Sequence, residues 1–117
     1  MADPRVRNIK IKTGVVNRLT KEKVYYEKES VNIEEKIQKM KDNKEDEYNI
    51  KKKGELFDES KSMICDAEKR LRVAIEDLQN VLDVEKELSE VEEYVNAKTA
   101  IEAGNKEINK NKEQQQA

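Results

Sequence analysis

The segment IKKKGELFDESKSMICDAEKRLRVAIEDLQNV, residues 50–81, carries apolar side chains at alternating steps of three and four residues. Eight of its ten stepped positions are apolar, and these are Ile50, Phe57, Ile64, Ala67, Leu71, Ala74, Leu78 and Val81. Such spacing places the apolar side chains in one stripe along a helix, as in helices with coiled-coil packing. The segment therefore predicts a long helix with one buried stripe, which we call the seam.

Residues 9–40 carry a similar seam, in which seven of ten positions are apolar and the exceptions are Lys12, Lys23 and Ser30. Just ahead of it, Asp3 can accept hydrogen bonds from free backbone N–H groups, and Pro4 suits a first helical position. We therefore predict helix 1 over about residues 4–41. The polar residues 42–47, with Asn43 and Asp46 as candidate caps, predict the first turn. Helix 2 is then expected over about residues 48–80.

The third seam is the weakest, because it is apolar for four positions and then fails. It reads Val84, Leu88, Val91, Val95, Lys98 and Glu102. Asn80 or Asp83 could end helix 2, so we expect helix 3 over about residues 84–103, starting between 84 and 89. Ser89 with Glu92 matches a capping box and offers a competing start. An unbroken helix over residues 48–103 is the alternative.

The end of the chain is polar. Gly104 is a plausible C-terminal stop for helix 3, and residues 105–117 are predicted to form a polar, disordered tail.

These segments predict an all-α fold, an elongated up-down-up three-helix bundle over residues 1–104 with coiled-coil-like packing. Short connections make neighbouring helices antiparallel. A third helix of ~30 Å is too short to cover a hairpin of ~50 Å. We therefore expect a two-stranded far end, where part of the seam faces water or another chain: Ile33, Ile37, Met40, Ile50 and Phe57. A tail that folds back over this end, or closure by the two helices alone, would cover it instead.

The composition argues against an enzyme. The chain is 43% charged, has no histidine and has one cysteine, so neither a zinc site nor a histidine-based proton shuttle can be assembled. No Gly-rich phosphate loop is present. We therefore expect no cofactor and no metal. The lack of a long apolar run or signal peptide predicts a soluble protein, and the single Cys65 fits a reducing compartment such as the cytoplasm.

Charge is divided unevenly along the chain. Residues 1–24 carry seven basic and two acidic residues, whereas residues 76–102 carry nine acidic and two basic residues. In the predicted bundle these segments lie side by side, so they could pair internally or form a docking surface. Nucleic acid is a poor candidate partner, because the basic stretch lacks interleaved aromatic residues and the pI is about 5.4. A membrane partner is not expected either.

Apolar residues outside the seam of helix 1 are candidates for contact with a partner protein. Together with nearby cations and the acidic start of helix 3 they give the predicted partner-binding set: Lys10, Ile11, Arg18, Lys21, Val24, Tyr25, Val31, Glu90, Glu92 and Glu93. We expect a monomer, with a homodimer as the alternative state.

Four sequence blocks carry a resemblance to a known family: MADPRVRNIKIKTGVVNRLTKEKVYYEKE, EEKIQKM, YNIKKKGE and LQNVLDVEKELSEVEEY. The chain resembles tubulin-binding cofactor A, also called tubulin-specific chaperone A, from residue 1 to about 103. The resemblance implies a cytoplasmic, cytoskeleton-associated chaperone. It would capture β-tubulin folding intermediates without ATP hydrolysis and pass them to downstream cofactors for heterodimer assembly.

The resemblance also implies that helical faces contact tubulin. Family members commonly have a proline after a Met-Ile pair in helix 2, whereas this chain has Cys65 after Met63 and Ile64. We therefore expect a straighter second helix here. A structural coiled-coil module that drives self-association is the alternative function.

Overall fold

The computed structural model describes the backbone of residues 3–116 and the side chains of residues 3–110. It contains three long helices, α1 (Pro4–Asp42), α2 (Glu47–Val84) and α3 (Glu92–Gln116), with a short 3-10 turn at Lys86–Leu88. No strand occurs among these residues, so the all-α prediction is confirmed. The molecule is a rod measuring 63 × 33 × 18 Å. None of the helices described is both long and apolar enough to cross a membrane.

The direction of each helix follows from the contacts between helices. Arg5 of α1 lies 3.4 Å from Glu85, which directly follows the end of α2, and Ser60 of α2 donates a hydrogen bond to the Tyr26 carbonyl of α1. Since residue numbers rise along α1 as they fall along α2, these two helices are antiparallel. Lys23 of α1 donates a hydrogen bond of 3.0 Å to the Glu107 carbonyl of α3, whereas Lys10 lies beside Glu93. Helices α1 and α3 are therefore parallel, which gives the up-down-up order.

Side chains cap the starts of the first two helices. Asp3 accepts a 2.9 Å hydrogen bond from the Arg5 N–H, and Pro4 occupies the first turn, as expected. Asp46 accepts a 2.9 Å hydrogen bond from the Tyr48 N–H at the start of α2. In the turn between α1 and α2, Lys44 adopts a positive φ of 53°, and the chain reverses its direction there. Helix α2 then continues through Cys65 as a single helix.

Helix α3 differs from its prediction in start and in register. It begins at Glu92, after the predicted window of 84–89, and the break before it excludes one helix over 48–103. Its buried stripe is Tyr94, Ala97, Ala100, Ile101, Gly104 and Ile108, whereas Val95, Lys98 and Glu102 are exposed. The prediction continued the three-and-four spacing of the helix 2 seam into helix 3. Residues 85–91 are not α-helical, so the buried positions of α3 follow a new register. The Tyr94 hydroxyl fixes the new register by donating to the Leu82 carbonyl at 3.0 Å.

The segment after Gly104 is also corrected. Residues 105–116 continue α3, so the predicted disordered tail is wrong there, and residue 117 lies outside the described residues. Gly104 is buried and packs so closely on α2 that an added Cβ would lie 2.8 Å from Ile75 Cδ1. Beyond it, Ile108 packs into the core, and the Glu107 carbonyl accepts from the fully buried Lys23. These contacts attach the polar segment to the bundle, whereas its composition alone favoured disorder.

Burial divides the rod into two parts. The three-helix half, where α3 covers α1 and α2, contains one continuous core: Ile9, Val16, Leu19, Leu71, Ile75, Leu78, Leu82, Tyr94, Ala97, Ala100, Ile101 and Ile108. The two-helix end, residues 31–59, contains no buried residue. Its seam residues Ile33, Ile37, Met40, Ile50 and Phe57 are half-buried. The two helices therefore do not close this part of the seam alone.

Candidate interaction surfaces

One stripe of exposed residues runs along the outer face of α1. Ile11, Arg18 and Tyr25 are seven residues apart, about two helical turns, so their side chains lie one above another. Ile11 is 57% and Tyr25 is 63% exposed. Lys21 lies between Arg18 and Tyr25 on the same face. We call these four residues the outward stripe, and it can offer apolar anchors flanked by positive charge.

The cations of the stripe are largely free to meet a partner. Arg18 has a contact of 3.9 Å with Glu22 one turn along the helix, at an exposed position where such pairs contribute about 0–1 kcal/mol. Lys21 is exposed as well. A partner would therefore lose little intramolecular stabilisation on recruiting either charge.

Val24 and Val31 lie on a different surface from the outward stripe. Together with Ile64 and Ile108 they line a groove between α1 and α2, next to the last described side chains of α3. Val31 is exposed and Val24 is half-buried. The structure therefore separates the predicted apolar residues of α1 into two groups.

The remaining predicted residues lie at the start of α3. Lys10, Glu92 and Glu93 line a shallow groove between α1 and α3, and Glu90 is exposed in the connection before α3. The sequence placed the basic start of helix 1 beside the acidic start of helix 3, and Lys10 lines the same groove as Glu92 and Glu93.

Internal pairing uses other residues of these charged segments. Arg5 donates to Glu87 and Glu85 in the connection between α2 and α3, and Lys12 lies 3.7 Å from Asp77 of α2. The hydrogen bonds from Arg5 hold the pKa of Asp3 below its usual value, and Asp3 raises the pKa of Arg5. The start of α1 is thus tied to the α2–α3 connection, which leaves Glu90 and Glu92 on the surface.

A second groove lies between α1 and α2, on the side that α3 does not line. Its walls are Tyr26, Glu29, Asn32, Ile33 and Lys36 from α1, with Lys53, Leu56, Glu59, Ser60 and Met63 from α2. We call it the opposite groove. Leu56 is 48% and Met63 is 38% exposed, although both are apolar. The Tyr26 ring meets the Tyr25 ring edge-on at 5.6 Å, so this groove adjoins the outward stripe.

Sequence reasoning did not select Leu56 or Met63. The available signal was that each directly precedes a seam residue, Phe57 or Ile64, at the same seven-residue spacing. Two adjacent apolar residues repeated in this way widen the apolar face beyond one seam. That widening indicates a helix that offers a second contact surface.

The comparison with known families agrees with the fold and with the sequence resemblance. The family model described as tubulin binding cofactor A matches residues 4–101. This chain belongs to the tubulin-binding cofactor A family. The match contains the outward stripe and the opposite groove, and it ends before Gly104 and Ile108.

Relatives and solved structures cover most of the chain. Tubulin-specific chaperone A of Gallus gallus is 56% identical over 103 residues, which cover 88% of this chain and 95% of the relative. The structure of human tubulin chaperone cofactor A has a TM-score of 0.75 at 52% identity and covers 86% of this chain and 97% of its own. The crystal structure of tubulin folding cofactor A from Arabidopsis thaliana has a TM-score of 0.82 at 37% identity. It covers 87% of this chain and 96% of its own. The three-helix fold of this family member is therefore shared with solved cofactor A structures.

Proposed function

We propose that this protein is a tubulin-folding chaperone in the cytoplasm. It captures β-tubulin folding intermediates and passes them to downstream cofactors for heterodimer assembly, without ATP hydrolysis and without enzymatic activity. Membership of the tubulin-binding cofactor A family supports the chaperone role, since relatives of this family are named tubulin-specific chaperone A. The observation that carries the proposal is the outward stripe, which exposes large apolar side chains on a helix whose other face is tightly packed.

A holding chaperone needs an accessible surface rather than an enclosed pocket. Ile11 and Tyr25 would act as anchors that enter apolar sites on unfinished β-tubulin, because a few aromatic and large apolar residues usually dominate binding energy. Lys21 and Arg18 would orient the encounter and raise its rate rather than supply most of the affinity. Binding through preformed helices requires little reorganisation of the chaperone.

Both neighbouring surfaces would extend this contact. Val24 and Val31 lie before and after Tyr25 along α1 and line the groove beside it, and Glu92 and Glu93 share a groove with Lys10, the residue before Ile11. We assign them secondary contacts, because Val24 and Glu93 are partly covered by the bundle itself.

The test is capture of newly released β-tubulin by single alanine variants. Tyr25→Ala and Ile11→Ala are each expected to weaken capture about tenfold, equivalent to ~1.4 kcal/mol of a buried anchor. Val73→Ala is the control, because Val73 is 63% exposed on α2, away from the stripe. Helicity and melting temperature should stay near those of the wild type in all three. Unchanged capture in both α1 variants would exclude the outward stripe as the binding surface.

The structure also offers one observation in favour of the alternative function. The half-buried seam at the two-helix end could drive self-association of a purely structural coiled-coil module. Light scattering with and without β-tubulin separates the two functions. A protein that forms a tight homodimer and ignores β-tubulin would support the alternative. Capture of equal extent with and without ATP would support the chaperone.

A further inference from the structure

The last part of α3 is attached to the bundle by a single large apolar side chain. Residues 105–116, which we call the terminal turns, contain one such residue, Ile108. Ile108 packs into the core and lines the groove between α1 and α2 that also contains Val24, Val31 and Ile64. We call it the α3-side groove. The terminal turns therefore cover one part of an apolar groove with one apolar anchor.

The other attachment of the terminal turns is a cluster of charges around a fully buried lysine. Lys23 Nζ donates to the Glu107 carbonyl at 3.0 Å and to the Glu27 carboxylate. Lys110 Nζ lies 3.7 Å from Glu27 Oε2 and 4.0 Å from Glu107 Oε2. Two of these four residues belong to α1 and two to the terminal turns. Polar groups thus join the two helices at a position where the seam of α1 would otherwise carry an apolar residue.

Such a cluster separates more readily than an apolar contact. Burial of a lysine and a carboxylate removes both from water, and their mutual attraction returns only part of that cost. On separation both groups regain water, whereas separation of an apolar contact exposes hydrocarbon. The closed arrangement also leaves Glu107 Oε2 out of reach of water and without a hydrogen-bond donor among the described residues, since Lys23 Nζ lies 3.9 Å away. Opening would relieve this unpaired oxygen.

The terminal turns lie beside the apolar residues of α1 that were predicted to contact a partner. Helices α1 and α3 are parallel and Lys23 meets Glu107, so Val31, eight residues further along α1, lies level with the last turn of α3. Val24 directly precedes Tyr25 of the outward stripe. A partner bound on the stripe would therefore meet the terminal turns when it extends toward the α3-side groove.

We propose that the terminal turns are a displaceable cover, and that the α3-side groove beneath them takes an amphipathic helix of the captured partner. The chemistry of this helix follows from what it replaces. It presents one large aliphatic side chain in the place of Ile108, and an oxygen acceptor, best an acidic side chain, to Lys23. Apolar anchors at helical spacing are the usual means by which a helix binds a groove.

This inference rests on the proposed capture of β-tubulin and adds its regulation. A partner that needs the open groove binds with an apparent Kd equal to the intrinsic Kd divided by the open fraction. The cover therefore weakens capture, and a change that opens it should strengthen capture. The family match ends at residue 101, so the cover lies outside the matched region.

The first test compares two aspartate variants of the full chain. Ile108→Asp places a charge where the anchor is buried and should open the cover, so that β-tubulin capture tightens about tenfold. Asn109→Asp is the matched control, because it adds the same charge at the next residue, which is exposed. It should capture β-tubulin as the wild type does. Circular dichroism checks that both variants stay folded, and Ile108→Ala is a milder variant that should change capture in the same direction.

The second test is hydrogen exchange of the wild type with and without β-tubulin. Binding normally slows exchange, but a displaced cover should exchange faster in the complex than in the free chain. We expect amides of residues 105–116 to exchange about tenfold faster in the complex. Amides of residues 94–104 should not accelerate, because that part of α3 stays packed in the core.

The outcomes separate the cover from the proposed function. Capture by the wild type, with residues 105–116 equally or better protected in the complex, would exclude displacement of the cover. Equal capture by folded Ile108→Asp, Ile108→Ala and Asn109→Asp would show that the α3-side groove takes no part in binding. A wild type that captures no β-tubulin would overturn the proposed function and the cover together.

Discussion

The three-helix half and the two-helix end are built from the same kind of sequence, yet they differ in burial. Both have seams with the same three-and-four spacing, and both alternate seam residues with charge. In the three-helix half these residues form a closed core, whereas from 31 to 59 none of them is buried. A helix pair alone covers only part of each seam, and the third helix supplies the remaining contacts. Stability is therefore concentrated where α3 lies, whereas the two-helix end leaves its apolar seam partly exposed.

The largest expected effect compares one leucine from each part. Leu71→Ala should lower the free energy of unfolding by about 3 kcal/mol, because Leu71 is fully buried and its loss leaves a cavity. Leu56→Ala should lower it by less than ~1 kcal/mol, because Leu56 is about half exposed. Urea unfolding at low protein concentration measures both values without a contribution from self-association. Equal losses would contradict the division of the rod into two parts.

A slightly smaller effect tests where the three-helix half ends. Ile108→Ala should lower the free energy of unfolding by about 2 kcal/mol, because Ile108 packs into the core from the last part of α3. Its neighbour Asn109 is exposed, so Asn109→Ala should stay within ~0.5 kcal/mol of the wild type. If Ile108→Ala were as stable as Asn109→Ala, the segment after Gly104 would not belong to the bundle.

The smallest effect compares two glycines inside helices. Gly54→Ala should raise the free energy of unfolding by about 1 kcal/mol, because alanine favours the helix and no atom lies within 4 Å of the new methyl group. At Gly104 the methyl would lie 2.8 Å from Ile75 Cδ1 and 3.4 Å from Thr20 Oγ1, so crowding should cancel that gain. Thermal unfolding measures the difference, and an equal gain at both positions would show that α3 packs less closely than described.

The parts of the fold that the sequence predicted are those governed by local chemistry. Asp3 and Pro4 start α1 and Asp46 starts α2, because caps act on backbone groups within a few residues. The seams of α1 and α2 were readable because each helix is long and unbroken. The register of α3 could not be predicted from the spacing, because residues 85–91 interrupt the α-helix. It is set instead by a contact across the interruption, the hydrogen bond from the Tyr94 hydroxyl to the Leu82 carbonyl.

The candidate surfaces show the same division. Exposure of Ile11 and Tyr25 was predictable, since both lie off the seam of one uninterrupted helix. Helical phase also separates Val24 and Val31 from Ile11 and Tyr25, because the two pairs lie one residue apart in the seven-residue repeat. The neighbouring helix that each group faces was not predictable, and only the packed structure places Val24 and Val31 in a groove with α2 and Leu56 in a groove with Ile33.

The sequence by itself determined that this chain forms long helices with one apolar stripe each, because the spacing of side chains on a helix is fixed by backbone geometry. The sequence also determined the family to which the chain belongs, because the matching blocks of residues lie along α1, α2 and the connection to α3. Tertiary structure alone decided that the polar segment after Gly104 continues α3. Lys23 and the core around Ile108 stabilise that segment through contacts between residues far apart in the chain, which its own composition does not encode.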